Sequence, residues 1–283
     1  MLVDLIQVTT RDGVRIDGVY QAPARLPARH VDGCILVHGT GSNFYGSTLF
    51  DPLAERLIAL GVGVLRINTR GHDLMSTAST ARGGRRFGAA YEVVDDCRHD
   101  LAAWIDWLQE RCGPSVGLVG HSLGALKCLY AMAVEPDARV QRLIAVSPPR
   151  LSHSWFLASD RAAEFRDEYD RASALVAVGE PETLLEVGVP LPFVVTAAGY
   201  VEKYGPDERY NYLRWIDRVR RPALVTFGEI EAKNNMAFRD AAAAIAKAAP
   251  GIAVETIAGA DHFYSGVREA LIEEIVPNLA MLD

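Results

Sequence analysis

Short, continuous apolar runs alternate with longer segments of helical spacing through most of this 283-residue chain. GCILVHG (33–39), GVLRIN (63–68), SVGLVG (115–120), RVQRLIAVSP (139–148), PALVTFGEIE (222–231) and AVETIAG (253–259) read as strands. Runs of this kind suit strands buried on both faces. Between them, TLFDPLAERLIALG, SLGALKCLYAMAV, FRDAAAAIAKAAPG and a final segment from about Val267 read as helices. Residues 91–111 do too, with Val94, Leu101, Trp104, Ile105 and Leu108 on one face. Two alternating segments open the chain, LIQVTT and VRIDGVYQAP, and Asp12-Gly13 between them predicts an antiparallel hairpin. Regular alternation of this type predicts an α/β fold, a mostly parallel sheet with helices on both faces.

The alternation stops between Pro148 and Pro222. A gap of roughly 70 residues is too long for a connecting loop in a compact domain. It holds a helical stretch, SDRAAEFRDEYDRASALVAV, and ten aromatics from Trp155 to Trp215. We expect residues 1–149 and 221–283 to form the core and 150–220 to be a cap. Its place would be over the C-terminal edge of the sheet, where ligands bind in such folds. The alternative is an insertion that packs only on its own core.

With 49% hydrophobic and 23% charged residues, the composition is that of a globular protein. The net charge of −7 and the lack of any basic run argue against a nucleic-acid partner. No apolar run approaches the roughly 18 residues of a membrane span. The first residues lack the charged and apolar regions of a signal peptide. Cys34, Cys97, Cys112 and Cys128 form no CxxC pair and read as thiols in a reducing cytoplasm.

One motif carries chemistry. Gly120-His121-Ser122-Leu123-Gly124 fits G-x-S-x-G and lies between a predicted strand and a predicted helix, the setting a nucleophile elbow requires. The elbow strains the serine backbone, and residues two before and two after must lack side chains. A serine hydroxyl needs a base, and the base needs an orienting acid. Of seven histidines, His262 follows the last predicted strand and falls late in the chain, as the order serine, acid, histidine demands. His121 adjoins the serine, so its side chain should diverge from the elbow. His72 could line the site. The acid should follow the penultimate strand, where both Glu229 and Glu231 are available. For the oxyanion donors, the small residues of His38-Gly39-Thr40-Gly41-Ser42-Asn43 follow a buried strand. The backbone N–H of Thr40 is the first choice there, and that of Leu123 the second.

HGTGSN, GHSLG, GEIE and ADHF, in this order, resemble the α/β-hydrolase superfamily over nearly the whole chain outside the insertion. The resemblance implies an eight-stranded sheet with its second strand antiparallel. It also selects Glu231, three residues after Gly228, as the acid, and implies a catalytic triad of Ser122, Glu231 and His262. Hydrolysis would pass through an acyl-serine intermediate with no metal or organic cofactor, and the Arg70-Gly71-His72-Asp73 loop would be structural. The expected function is cleavage of a carboxylic ester of a bulky, partly apolar small molecule. Trp155, Phe156, Phe193 and Tyr200 are the candidate substrate contacts. Fold does not fix reaction, however. Lactone, thioester, amide or carbon–carbon cleavage, acyl transfer, or ligand binding without catalysis are the competing readings.

Overall fold

Eight of the strands in this computed structural model, which describes residues 3–23, 30–46 and 48–280, form one twisted sheet. The opening hairpin is β1 (Asp4–Thr9) and β2 (Arg15–Gln21). Next come β3 (Gly33–Val37), α1 (Asp51–Ala59) and β4 (Gly63–Ile67). A small antiparallel ribbon, β5 (Ser76–Thr80) with β6 (Gly83–Phe87), stands apart from the sheet. Then follow α2 (Cys97–Cys112), β7 (Val116–His121), α3 (Leu123–Val134) and β8 (Val140–Val146).

The next elements do not join the large sheet. They are α4 (His153–Leu157), α5 (Ala162–Ala177), the ribbon β9 (Leu184–Val187) with β10 (Phe193–Thr196), and α6 (Ala197–Tyr204). The chain returns to the sheet with β11 (Ala223–Gly228), α7 (Glu229–Asn234), α8 (Ala241–Ala248), β12 (Ala253–Ile257) and α9 (Arg268–Leu279).

The sheet order is β1-β2-β4-β3-β7-β8-β11-β12. β2 runs antiparallel to both neighbours, and every pairing from β4 to β12 is parallel. The expected sheet, with one antiparallel strand in second place, is therefore the one observed. Side-chain alternation divides the core between its faces. Cys34 and Leu36 of β3 join Val64, Val119 and the helices α1 and α9 in one cluster. Ile35 and Val37 join Leu65, Leu118 and the helices α2 and α3 in the other. Each such fully buried aliphatic side chain stabilises the fold by about 1.5–3 kcal/mol.

Two stretches differ from the sequence expectation. Val94 lies in a 3-10 turn rather than in the helix, which starts at Cys97. Glu229 to Asn234 forms a short helix instead of the end of a strand. The insertion carries an aromatic cluster of its own, in which Phe156, Phe165, Tyr200 and Tyr204 pack at ring distances of 4.8 to 6.4 Å. It also leans on α3, where Tyr130 meets the rings of Tyr210 and Trp215. No helix among the described residues is long and apolar enough to cross a membrane.

Candidate active site

Ser122 sits between the end of β7 and the first turn of α3, with φ 55° and ψ −127°. That conformation is strained for any residue with a side chain and turns the serine out of the sheet edge. The turn closes only because its flanks are glycine. A Cβ at Gly120 would lie 2.4 Å from the Gly124 carbonyl oxygen, and one at Gly124 would lie 2.3 Å from that of His38. The Ser122 amide donates to Val146 O at 2.8 Å, which fastens the elbow to β8.

Glu231 is only 5% exposed, so its carboxylate must be well hydrogen-bonded. Its Oε2 accepts from His262 Nδ1 at 2.7 Å, and Oε1 accepts from the Gly228 amide at 2.7 Å and from Ser147 Oγ. Each hydroxyl has one proton to give, which fixes the direction of the remaining bonds. Tyr264 Oη donates to Ser147 Oγ at 2.9 Å, and Thr226 Oγ1 donates to Tyr264 Oη at 3.2 Å. The carboxylate is thus the end point of a hydroxyl chain. With Nδ1 donating to Glu231, neutral His262 keeps Nε2 as its acceptor.

Ser122 and His262 line one cavity of about 560 Å³. No direct hydrogen bond joins them in this conformation, and catalytic contacts in unliganded sites often tighten only when substrate binds. Thr40 and Leu123 line the same cavity, and among the described residues neither amide has a protein acceptor. Leu123 is the first residue of α3, where an amide has no intrahelical partner. Gly39 allows the loop to come close, since a Cβ there would stand 2.9 Å from Ser122 Cβ. The rest of the loop is tied down. The Phe44 amide donates to Asn68 Oδ1 at 3.0 Å, and Asn43 Nδ2 donates to Asp73 Oδ1 at 2.6 Å.

The other candidates separate clearly. Glu229 is at the surface, paired with Lys233 at 2.7 Å and accepting from the Gly259 amide. His72 does not line the cavity and pairs with Asp73 at 2.9 Å. Arg70 is buried among Asp12, Asp96 and Asp100 and donates twice to Asp100 Oδ1, from Nε at 2.9 Å and Nη2 at 2.8 Å. His121 departs from expectation, because its ring lines the cavity and packs 4.7 Å from the ring of His262. Burial pushes its pKa down to about 3, so it is neutral and donates from Nε2 to His262 O at 2.8 Å.

Of the four predicted substrate contacts, Phe193 lines the cavity. Phe156 and Tyr200 are fully buried in the aromatic cluster of the insertion, and the single Tyr200 hydroxyl proton is shared between Glu168 Oε2 at 3.0 Å and Val189 O at 2.9 Å. Trp155 lies under the Arg150 guanidinium, 4.1 Å from the ring centre, and donates to Met236 O. These three do not line the cavity: hydrogen bonds anchor Trp155 and Tyr200 elsewhere, and ring packing on Phe165 and Tyr204 holds Phe156. Ser147 and Tyr264 are missed by the sequence reading, which also sets His121 aside as diverging from the elbow. Their signal was positional only, since each adjoins a strand end or a motif residue. Among the described residues, no group of three or more His, Cys, Asp or Glu side chains is arranged to hold a metal ion.

The profile described as the alpha/beta hydrolase family matches residues 34–274. A sequence comparison with curated proteins finds no match. Among solved structures, the chain is similar to Est1E from Butyrivibrio proteoclasticus with ferulic acid bound. That likeness has 19% identity and a TM-score of 0.65, and covers 95% of each chain. The alpha/beta hydrolase GrgF from Penicillium sp. sh18 is 15% identical with a TM-score of 0.68, covering 97% of each chain. A soluble variant of monoglyceride lipase from Saccharomyces cerevisiae, in complex with a substrate analog, is also 15% identical. Its TM-score is 0.65, with 97% of this chain and 94% of that chain covered. At these identities the likeness is one of fold.

Proposed function

The chain belongs to the alpha/beta hydrolase family, and on that footing we propose that it is a serine hydrolase acting on a carboxylic ester of a bulky, partly apolar small molecule. One observation carries the reading. A buried carboxylate orients a histidine, and that histidine opens on the same cavity as a serine held in a strained elbow.

In this reading Ser122 Oγ attacks the ester carbonyl carbon while His262 Nε2 takes the hydroxyl proton. The imidazolium that forms is stabilised by Glu231, which stays ionised. The carbonyl oxygen becomes an oxyanion that accepts from the Thr40 and Leu123 amides. Collapse expels the alcohol, protonated by His262, and leaves an acyl-Ser122. Water, deprotonated by His262, then releases the acid and restores the serine. Residues 150–220 act as a cap, since Pro190, Leu191, Phe193 and Tyr204 of that stretch form part of the cavity wall. Apolar walls from Leu49, Leu74 and Leu151 suit an apolar acyl or alcohol part.

The test is a series of p-nitrophenyl esters of increasing acyl length, assayed with and without a competing alcohol. Turnover that needs Ser122 supports the reading, and a product divided between acid and new ester would move it towards acyl transfer. No turnover of any member would favour a ligand-binding protein.

A further inference from the structure

Two cationic side chains, Lys203 and Arg268, and no carboxylate are among the described residues that line the cavity. That is notable in a chain of net charge −7. Lys203 on α6 is only 4% exposed. Its Nζ donates to Ala89 O at 3.2 Å and stands 5.8 Å from the centre of the Phe193 ring. Ala89 and Phe193 both line the cavity, so the ammonium group belongs to its wall.

The carboxylate nearest to it is already committed. Glu92 Oε2 is 3.6 Å from Lys203 Nζ and takes no hydrogen bond, while Glu92 Oε1 is in closer contact with Lys127 Nζ. Lys127 also donates to Thr69 Oγ1 at 3.0 Å. One carboxylate therefore faces two ammonium groups, all three side chains being almost fully buried. Glu202, beside Lys203 in sequence, acts on it only at longer range and forms no hydrogen bond or ion pair with it. Tyr210 Oη holds its Oε1, and burial pushes its carboxyl up to about 7. His38, which accepts from the Thr69 amide, is kept neutral by burial.

An unmatched positive charge in a dry wall is unfavourable, and burial drives the Lys203 pKa down accordingly. A lysine serving packing alone would not leave its ammonium beside an open cavity. Arg268 is placed differently, with both terminal nitrogens on Thr48 at 3.3 Å.

We propose that Lys203 is a specificity-determining residue, and that the ester this cavity takes carries a second, unreacted carboxylate that pairs with Lys203 Nζ. A monoanion fits this position better than a phosphate dianion, because the group of Lys203, Glu92 and Lys127 has an excess of a single charge. The proposal rests on the hydrolase reading above and adds the substrate class to it.

The experiment compares acid-bearing esters with neutral esters of equal length, in wild type, Lys203→Met and Arg268→Met. Monomethyl adipate, pimelate and suberate place the carboxylate on the acyl side, and 4-acetoxybenzoate places it on the alcohol side. Methyl alkanoates and 4-methylphenyl acetate are the neutral partners. Wild type should favour at least one acid-bearing ester in kcat/KM by about tenfold or more, the scale of one hydrogen-bonded charge. Lys203→Met should remove most of that ratio, and Arg268→Met should retain it. Absence of any such preference in wild type overturns the proposal whether or not Lys203→Met folds. So does a preference that Arg268→Met abolishes or Lys203→Met leaves intact. Calorimetric titration of monomethyl adipate into Ser122→Ala, with and without Lys203→Met, reads the anion site apart from chemistry. Binding that depends on Lys203, with no ester turned over by wild type, upholds the site and removes the hydrolase reading. Turnover without anion preference does the reverse.

Discussion

His121 Nε2 donates to the main-chain oxygen of His262 at 2.8 Å, with the two rings 4.7 Å apart. The residue before the proposed nucleophile thus holds the loop that carries the proposed base. His121→Phe keeps an aromatic ring in that space and deletes the donor. We predict a fall of about tenfold in kcat from the loosened base, with little change in KM. Stopped-flow or steady-state assays on one good ester would read it, and an unaltered kcat would show that the loop is held by other contacts.

The two carboxylates of GEIE should behave very differently. Glu231→Gln replaces an acceptor with a group that must donate towards either the Gly228 amide, Ser147 or His262. It also removes the charge opposite the imidazolium, so kcat should drop by roughly three to four orders of magnitude. Glu229→Gln loses a surface ion pair with Lys233 and should stay within about twofold of wild type. The reverse ranking would transfer the acid to Glu229.

Ser147 stands behind Glu231 in the chain of hydroxyls that begins at Thr226 and Tyr264. Ser147→Ala leaves Glu231 Oε1 with the Gly228 amide as its remaining protein donor and leaves Tyr264 Oη without its acceptor. We expect a loss of about 1–3 kcal/mol in stability and a fall in kcat that Ser147→Thr partly restores. A variant that melts and turns over like wild type would make the hydroxyl chain irrelevant to the carboxylate.

Much of this architecture was legible in the sequence, and the parts that were not share a physical cause. The inner strands of the sheet were legible because burial on both faces demands unbroken apolar runs such as Cys34 to Val37, and the opening hairpin because alternation flanks its Asp12-Gly13 turn. The ribbon β5-β6 escaped notice because STAST and GGRRF are polar and largely exposed, so no apolar alternation marks them. Helix α7 is too short to show a period. Ser122, His262 and Glu231 were visible because each follows a strand end, whereas His121 and Ser147 act through tertiary contacts that no local pattern records. The aromatics of 150–220 could be counted but not sorted. Phe193 faces the cavity while Phe156 and Tyr200 are interior, and composition alone does not distinguish a pocket wall from a core.

Two buried histidines and one half-buried carboxyl make stability depend on pH in a way that can be separated. Burial lowers His38 and His121 to about 3, below about 6.5 in an unfolded chain. The unfolded state therefore binds protons first, and stability falls as pH drops below about 6.5. Glu202 acts in the opposite sense. Its carboxyl, lifted by burial to about 7, takes a proton in the fold before it would in the unfolded chain at about 4.3. Between about pH 4.5 and 6.5 it offsets roughly one of the two histidines. Glu202→Gln should steepen the fall by about one proton, or ~1.4 kcal/mol per pH unit. Urea unfolding at several pH values would show it, and an unchanged slope would mean that Glu202 does not titrate in this window.

Whether Ser122 is the nucleophile is decided by an active-site-directed fluorophosphonate followed by peptide mass mapping. We predict a single phosphonylated serine, Ser122, with loss of ester turnover in step with labelling and no labelling of Ser122→Ala. Labelling at another serine, or turnover that persists in fully labelled protein, would contradict it.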